Sequence, residues 1–157
     1  GRTACDMQNS TVVRLSSIEN IVGIKDATGD LVRGKALIAA LPADFAVYSG
    51  DDATAVELML LGGMGNISVT ANVAPKQVAQ AAELALAQKA VEARQLDESI
   101  AALHRTLFLE SNPIPVKWAC HKMGLCEKGI RLPLTVLADN CHAELQAAME
   151  LSGIKCS

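Results

Sequence analysis

Lys25 is the residue placed to do chemistry. It closes the run Ile21, Val22, Gly23, Ile24, an apolar β-prone stretch of the kind found in buried parallel strands, and Asp26 and a Thr28-Gly29 turn signal follow. Alternation along a strand puts Ile21, Gly23 and Lys25 on one face, Val22 and Ile24 on the other. Lysine in model peptides has a pKa of about 10.4, and burial penalises the charged form. A desolvated, neutral amine is a nucleophile for carbonyl carbon and forms a Schiff base. The same residues also allow a plainer arrangement. The stem can pack while the head reaches water, or the ammonium can pair with Asp26, Asp51 or Asp52. Pattern alone leaves both readings open.

Other residues offer weaker chemistry. Arg2 carries a rigid two-pronged donor that suits a carboxylate, and it also reads as a solvated terminal arginine. In Ser49-Gly50-Asp51-Asp52-Ala53 a strand meets a helix start, where backbone N–H groups can hold an anion or where Asp51 or Asp52 simply caps the helix. Gly62-Gly63-Met64-Gly65-Asn66 precedes a strand rather than a helix, the wrong order for a phosphate loop. Cys120, His121, Cys126, Cys141 and His142 are potential zinc ligands whose spacings match no familiar ligand pattern. No metal site is expected.

These residues need elements to hold them. The first two-thirds of the chain alternate in a βα rhythm. A helix is expected near residues 9–17, a strand at 21–25, then a helix over 30–41 capped by Asp30 and stopped by Pro42. A strand at 45–50, an Asp-capped helix ending at Gly62-Gly63, a strand at 66–72 and a helix opened by Pro75 follow. Such alternation points to a parallel α/β sheet. In the strand at 66–72, Asn66, Ser68 and Thr70 share one face, taken as the interior one, and Ile67 and Val69 turn toward the helices. Past Gln88 the rhythm stops. One long helix over 90–110, a second capped by Asn112 with Pro113 in its first position, and a closing helix ended by Gly153 form a three-helix region. The domain reading is therefore 1–88 and 89–157.

Composition excludes several classes. The chain has 157 residues, half of them hydrophobic and 20% charged, which fits a packed globular fold. A net charge of −3 and 3% aromatic residues give no footprint for nucleic acid. No apolar run approaches the roughly 18 residues that span a bilayer, nor does the start read as a secretory signal. Five cysteines without CxxC spacing read as free thiols in a reducing cytosol, so the expected location is cytoplasmic. Three βα units are too few for a closed (β/α)8 barrel, which takes about 200 to 250 residues. The chain reads as a small open sheet or as the later part of a barrel.

Gly1-Arg2-Thr3, Gly23 to Gly29 (GIKDATG), Ser49 to Ala53 (SGDDA), Gly65 to Asn72 (GNISVTAN) and Asn112 to Ala119 (NPIPVKWA) occur in this order. In that order and spacing they resemble the dihydrodipicolinate synthase family, within the superfamily that also holds N-acetylneuraminate lyase. The resemblance covers essentially the whole chain and implies the carboxyl-terminal half of a (β/α)8 TIM barrel, about strands six to eight, followed by a three-helix region. It implies a homo-oligomer, dimer or tetramer, when full length. It implies pyruvate and aspartate semialdehyde as reactants, with no cofactor beyond a covalent imine at Lys25. Carried over by position, Arg2 holds the semialdehyde carboxylate and the main-chain carbonyl of Ile67 contacts pyruvate. Gly50 and Asp51 line the mouth. The family's relay tyrosine has no counterpart here, since Tyr48 matches no motif position for it. Two other readings stay open: a sister keto-acid aldolase, and a non-catalytic assembly partner.

Overall fold

In the computed structural model, residue 3 and residues 5–156 are described. They divide into two compact units, Gly1–Ile67 and Ser68–Ser157.

The first unit is built around a parallel sheet. Its elements are α1 (Asn9–Leu15), β1 (Gly23–Asp26), α2 (Leu31–Ala40), β2 (Ala46–Ser49), a 3₁₀ turn (Asp52–Thr54), α3 (Ala55–Leu60) and β3 (Gly65–Asn66). The strand order is β1-β2-β3, all parallel. Asp30 caps α2, its carboxylate accepting from Arg33 N at 3.0 Å, and the helix ends just before Pro42. Register pairs Lys25 with Tyr48 and Tyr48 with Gly65, so these share one face. On the other face lie Ile24, Val47 and Ser49. There Val12, Leu37 and Phe45 form a small core joined by Ile21, Ile24 and Leu41. The sheet is thus packed on one side and open on the side that carries Lys25 and Tyr48, both exposed.

The second unit is helical: a 3₁₀ turn (Thr70–Asn72), α4 (Pro75–Leu86), α5 (Ala90–Glu98), α6 (Ala101–Thr106), α7 (Ile114–Lys122) and α8 (Asp139–Leu151). α4 lies along α5, and α6 and α7 both pack on α8. Leu103, Leu107, Leu145 and Met149 are completely buried at its centre, with Ile100 and Val73 beside them. Among the described residues no helix is long and apolar enough to cross a membrane.

Three local expectations change. The strand expected over 66–72 stops at Asn66, because the Ser68 hydroxyl accepts from Ala71 N at 2.9 Å and turns the backbone out of the ladder. The long helix over 90–110 breaks between α5 and α6, where Ser99 Oγ bonds the Leu96 carbonyl at 2.6 Å and Ile100 leaves helical geometry to enter the core. Four helices, not three, therefore follow residue 89 among the described residues. α7 begins at Ile114, with Pro113 in the position before it and a cis peptide at Asn112-Pro113. Compactness divides the chain at Ile67 and Ser68, whereas the change of rhythm falls near residue 88. Compactness groups α4 with α5, while rhythm reads α4 as the last of the alternating helices.

Candidate active site

The carboxyl end of β1 is shaped by a relay of short bonds. Asp26 Oδ1 accepts from Thr28 N at 2.9 Å, Thr28 Oγ1 accepts from Asp30 N at 3.2 Å, and Asp30 caps α2. Gly29 takes φ +70° in this turn. The chain leaves the sheet sharply, and Lys25 becomes the last β1 side chain on the open face. Among the described residues its ammonium has neither an ion pair nor a hydrogen bond.

Gly50 lies directly beneath that lysine. A Cβ built there would stand 2.5 Å from Lys25 Cε, 3.0 Å from Lys25 Cγ and 2.9 Å from Ala27 Cβ. Only glycine lets the lysine stem lie across the end of β2 in this way. Gly50 N donates to Asp26 O at 2.7 Å, which extends the β1–β2 pairing by one residue. Ser49, almost wholly buried, donates its hydroxyl to Asp51 O at 2.9 Å and accepts from Asp51 N at 3.1 Å. Gly50 is held between these bonds.

The acids expected as partners for Lys25 are engaged elsewhere. Asp51 Oδ2 accepts from Thr54 Oγ1 at 2.7 Å, and Asp26 holds the turn just described. Asp52 is 3% exposed, and its Oδ1 accepts from Asn66 Nδ2 at 3.0 Å. Ile67 N donates to Ser49 O at 2.8 Å, so the backbone of Ile67 continues the ladder beside β2. Two orientations differ from expectation. Asn66 points to the covered face, toward Asp52. The Ile67 side chain is 51% exposed instead of packing on the helices. The observed alternation runs one residue out of phase with the expected one, because the Gly62–Gly65 turn gives no side-chain pattern to set it.

The structure therefore brings Lys25 and Gly50 together, with Asp51 next in the chain and Ile67 one strand further on. Arg2 lies outside the described residues. The burial expected for Lys25 is not supplied by the residues described here: its face of the sheet is open. Sequence reasoning also missed Tyr48 as the register neighbour of Lys25; its ring leans over Gly65, where a Cβ would meet Tyr48 Cδ1 at 3.2 Å. It missed the Asp52–Asn66 bridge, whose only signal was the second aspartate of the Ser49–Ala53 motif. Among the described residues no three His, Cys, Asp or Glu side chains gather to hold a metal. Cys120 and Cys126 thiols instead face the carbonyls of Asn72 and Lys117.

Comparison with known proteins adds the context. The model of the dihydrodipicolinate synthetase family matches residues 1–152. A 4-hydroxy-tetrahydrodipicolinate synthase of Pseudomonas syringae pv. syringae is 60% identical over 154 residues, covering 98% of this chain and 53% of that protein. The enzyme of the same name from Marinobacter nauticus is also 60% identical with the same coverage. Among solved structures, the dihydrodipicolinate synthase of Acinetobacter baumannii complexed with pyruvate superposes with a TM-score of 0.94 at 59% identity, over 96% of this chain and 52% of that one. The Aquifex aeolicus enzyme gives 0.93 at 35% identity, over 97% and 52%. The chain spans about half the length of the curated relatives it matches.

Proposed function

The chain belongs to the dihydrodipicolinate synthetase family, and from that premise we propose that it carries the Schiff-base lysine of a class I condensation between pyruvate and aspartate semialdehyde. The observation that carries the reading is Lys25 itself. It is the last side chain of a parallel strand, laid across a glycine and unclaimed by the neighbouring acids among the described residues. Carboxyl strand ends are where α/β barrels place their chemistry.

On this reading the sheet is the strand six to eight portion of a (β/α)8 barrel, and its open face is the barrel interior. The Lys25 amine adds to the keto carbon of pyruvate and water leaves, giving an iminium. The iminium acts as an electron sink, so the pyruvate methyl loses a proton and becomes an enamine carbon. That carbon attacks the semialdehyde carbonyl, forming the new C–C bond. The substrate amine then displaces lysine by ring closure, giving 4-hydroxy-tetrahydrodipicolinate. Gly50 leaves the space in which the lysine stem lies, the Ile67 carbonyl faces pyruvate, Asp51 borders the mouth, and Arg2 binds the semialdehyde carboxylate. The imine needs no added cofactor. A homo-oligomer and a cytoplasmic setting belong to the same reading.

Burial is what frees a lysine of its proton at neutral pH, and residue 3 and residues 5–156 leave Lys25 exposed. The chain alone is therefore expected to be nearly inactive, and active once its open sheet face is covered. The same exposure favours a second reading, a non-catalytic assembly partner. Mixing the chain with the amino-terminal half of the Pseudomonas syringae relative separates the two. Condensation activity that appears in the mixture and vanishes with Lys25→Ala supports the enzyme. An assembled but inactive mixture, or one indifferent to Lys25→Ala, overturns it. Activity that survives Arg2→Ala would point to a sister keto-acid aldolase with a different aldehyde.

A further inference from the structure

Asp52 is a carboxylate buried to 3% exposure, and its neutral partner Asn66 is only half satisfied. Asn66 Nδ2 donates to Asp52 Oδ1 at 3.0 Å, while Asn66 Oδ1 is buried with no hydrogen-bond partner among the described residues. Unmade hydrogen bonds on buried atoms are costly and rare. Flipping the amide would set oxygen against the carboxylate, so the bridge itself dictates the orientation. The location of this bridge is informative. Asp52 lies two residues after Gly50, and Asn66 immediately precedes Ile67. The bridge joins the chain that lies under the Lys25 stem to the chain that leads into Ile67, whose carbonyl contacts pyruvate on the reading above. The backbone of the two segments is already tied by Ile67 N to Ser49 O, while Gly50 N to Asp26 O ties the first of them to β1. Backbone bonds set the distance between strands; the side-chain bridge locks the loop that leaves β2 against the end of β3.

We infer that Asp52 and Asn66 are positioning residues, a buried carboxylate–amide clasp that holds Gly50 and the Ile67 carbonyl at the spacing a keto acid needs beside Lys25. The inference rests on the Lys25 reading above. The clasp touches no reacting atom and acts through the two backbone segments it joins. A local unmet hydrogen bond is tolerated where it fixes a geometry used for binding.

The test is borohydride trapping of pyruvate on Lys25 in the complemented assembly, measured against pyruvate concentration. Asn66→Asp sets two carboxylates face to face and should raise the half-saturating pyruvate concentration by about tenfold or more, with the maximal adduct retained. Asn66→Ala, which removes the donor without adding charge, covers the case in which Asn66→Asp does not fold and should raise it by several-fold. The swap Asp52→Asn with Asn66→Asp restores a donor opposite a carboxylate and should return the value to within about threefold of the parent. Amide hydrogen exchange on the chain alone gives the second readout. Exchange at Ile67 and Gly50 should quicken in Asn66→Ala while Ala46, bonded to Val22 O, stays slow. Unchanged half-saturation in the single variants, failure of the swap to restore it, or exchange quickening uniformly through the unit overturns the clasp and leaves the Lys25 reading standing. A parent assembly that takes up no pyruvate overturns the Lys25 reading, and the clasp falls with it.

Discussion

The two compact units of this chain close their cores to different degrees. From Ser68 onward, Leu103, Leu107, Leu145 and Met149 are sealed on all sides by helices. Up to Ile67, one face of a three-stranded sheet packs on Val12, Leu37 and Phe45, while the opposite face holds Lys25, Tyr48 and Ile67 in contact with water. Stability can be built from a closed core, whereas a reactive amine needs a face that something else can reach. On the proposed function, the helices carry stability and the sheet carries the chemistry. Each unit also has its own optical probe: the single tryptophan, Trp118, lies in α7, and the single tyrosine, Tyr48, in β2.

The largest expected effect is in the helical unit. Leu103→Ala should cost about 2 to 5 kcal/mol, as for other fully buried leucines, read from denaturant unfolding followed by Trp118 fluorescence. Ile67→Ala, on the open face, should cost under about 0.5 kcal/mol by the tyrosine signal. Equal costs would erase the distinction.

Next comes a buried polar relay in the same unit. Thr70 Oγ1 lies 2.8 Å from His104 Nδ1, and His104 Nε2 lies 3.1 Å from Asp97 Oδ1, with Thr70 fully buried. The ring nitrogens serve both neighbours, so with Asp97 accepting from Nε2–H the Thr70 hydroxyl donates to Nδ1. His104→Ala removes the ring that joins Thr70 to Asp97 and should destabilise by about 1 to 3 kcal/mol. A loss under about 0.5 kcal/mol, the range of an ordinary surface substitution, would remove the relay from the account.

The sheet unit should respond more in geometry than in stability. Gly50→Ala brings a methyl into the space of the Lys25 stem and of Ala27 Cβ, costing about 1 to 3 kcal/mol while slowing imine formation by about tenfold or more. Unchanged imine formation would mean that the lysine does not use that path.

How far these features could be read in advance varies with their range. Local signals were enough for α2, because the Asp30 cap and the Pro42 stop act within a turn of the helix they bound. The βα rhythm and the Lys25 motif were also legible, since both are short-range patterns. The phase of β3 was not: after four residues of glycine-rich turn, only its pairing to Tyr48 and Ser49 determines which way Asn66 points. The break at Ser99 and Ile100 depended on a core that pattern cannot show. The exposure of Lys25 depended on what covers the sheet, a matter of neighbours rather than of the strand itself.

Smaller effects follow from two titrations. The Arg33 guanidinium, bonded to both Asp6 oxygens at 2.9 and 2.8 Å and to Asn9 Oδ1 at 3.2 Å, holds the Asp6 carboxyl below the usual carboxylate range. A depressed folded pKa gives a contribution present above the unfolded value and lost as pH falls through the folded one. Protease cleavage in the segment before α1 should therefore rise only at acid pH, and Arg33→Ala should abolish that dependence. The pair is solvent-exposed, so the change should be modest and salt-sensitive. Burial pushes the Cys120 thiol up from its ordinary value, with Cys126 adding to the shift. Iodoacetamide should alkylate exposed Cys5 and Cys156 first and reach Cys120 only at more alkaline pH. Early labelling of Cys120 would show that the helical unit opens more readily than its core suggests.

The central claim concerns one nitrogen, and peptide mapping tests it most directly. Pyruvate and borohydride are added to the chain assembled with the amino-terminal half of a relative, and the reduced adduct is located by mass spectrometry. The expected result is a single pyruvyl modification on the peptide bearing Lys25, lost in Lys25→Ala and much weaker when the sheet face is left uncovered. An adduct on Lys35, Lys76 or any other lysine, or none in an assembly that still condenses pyruvate, would contradict it.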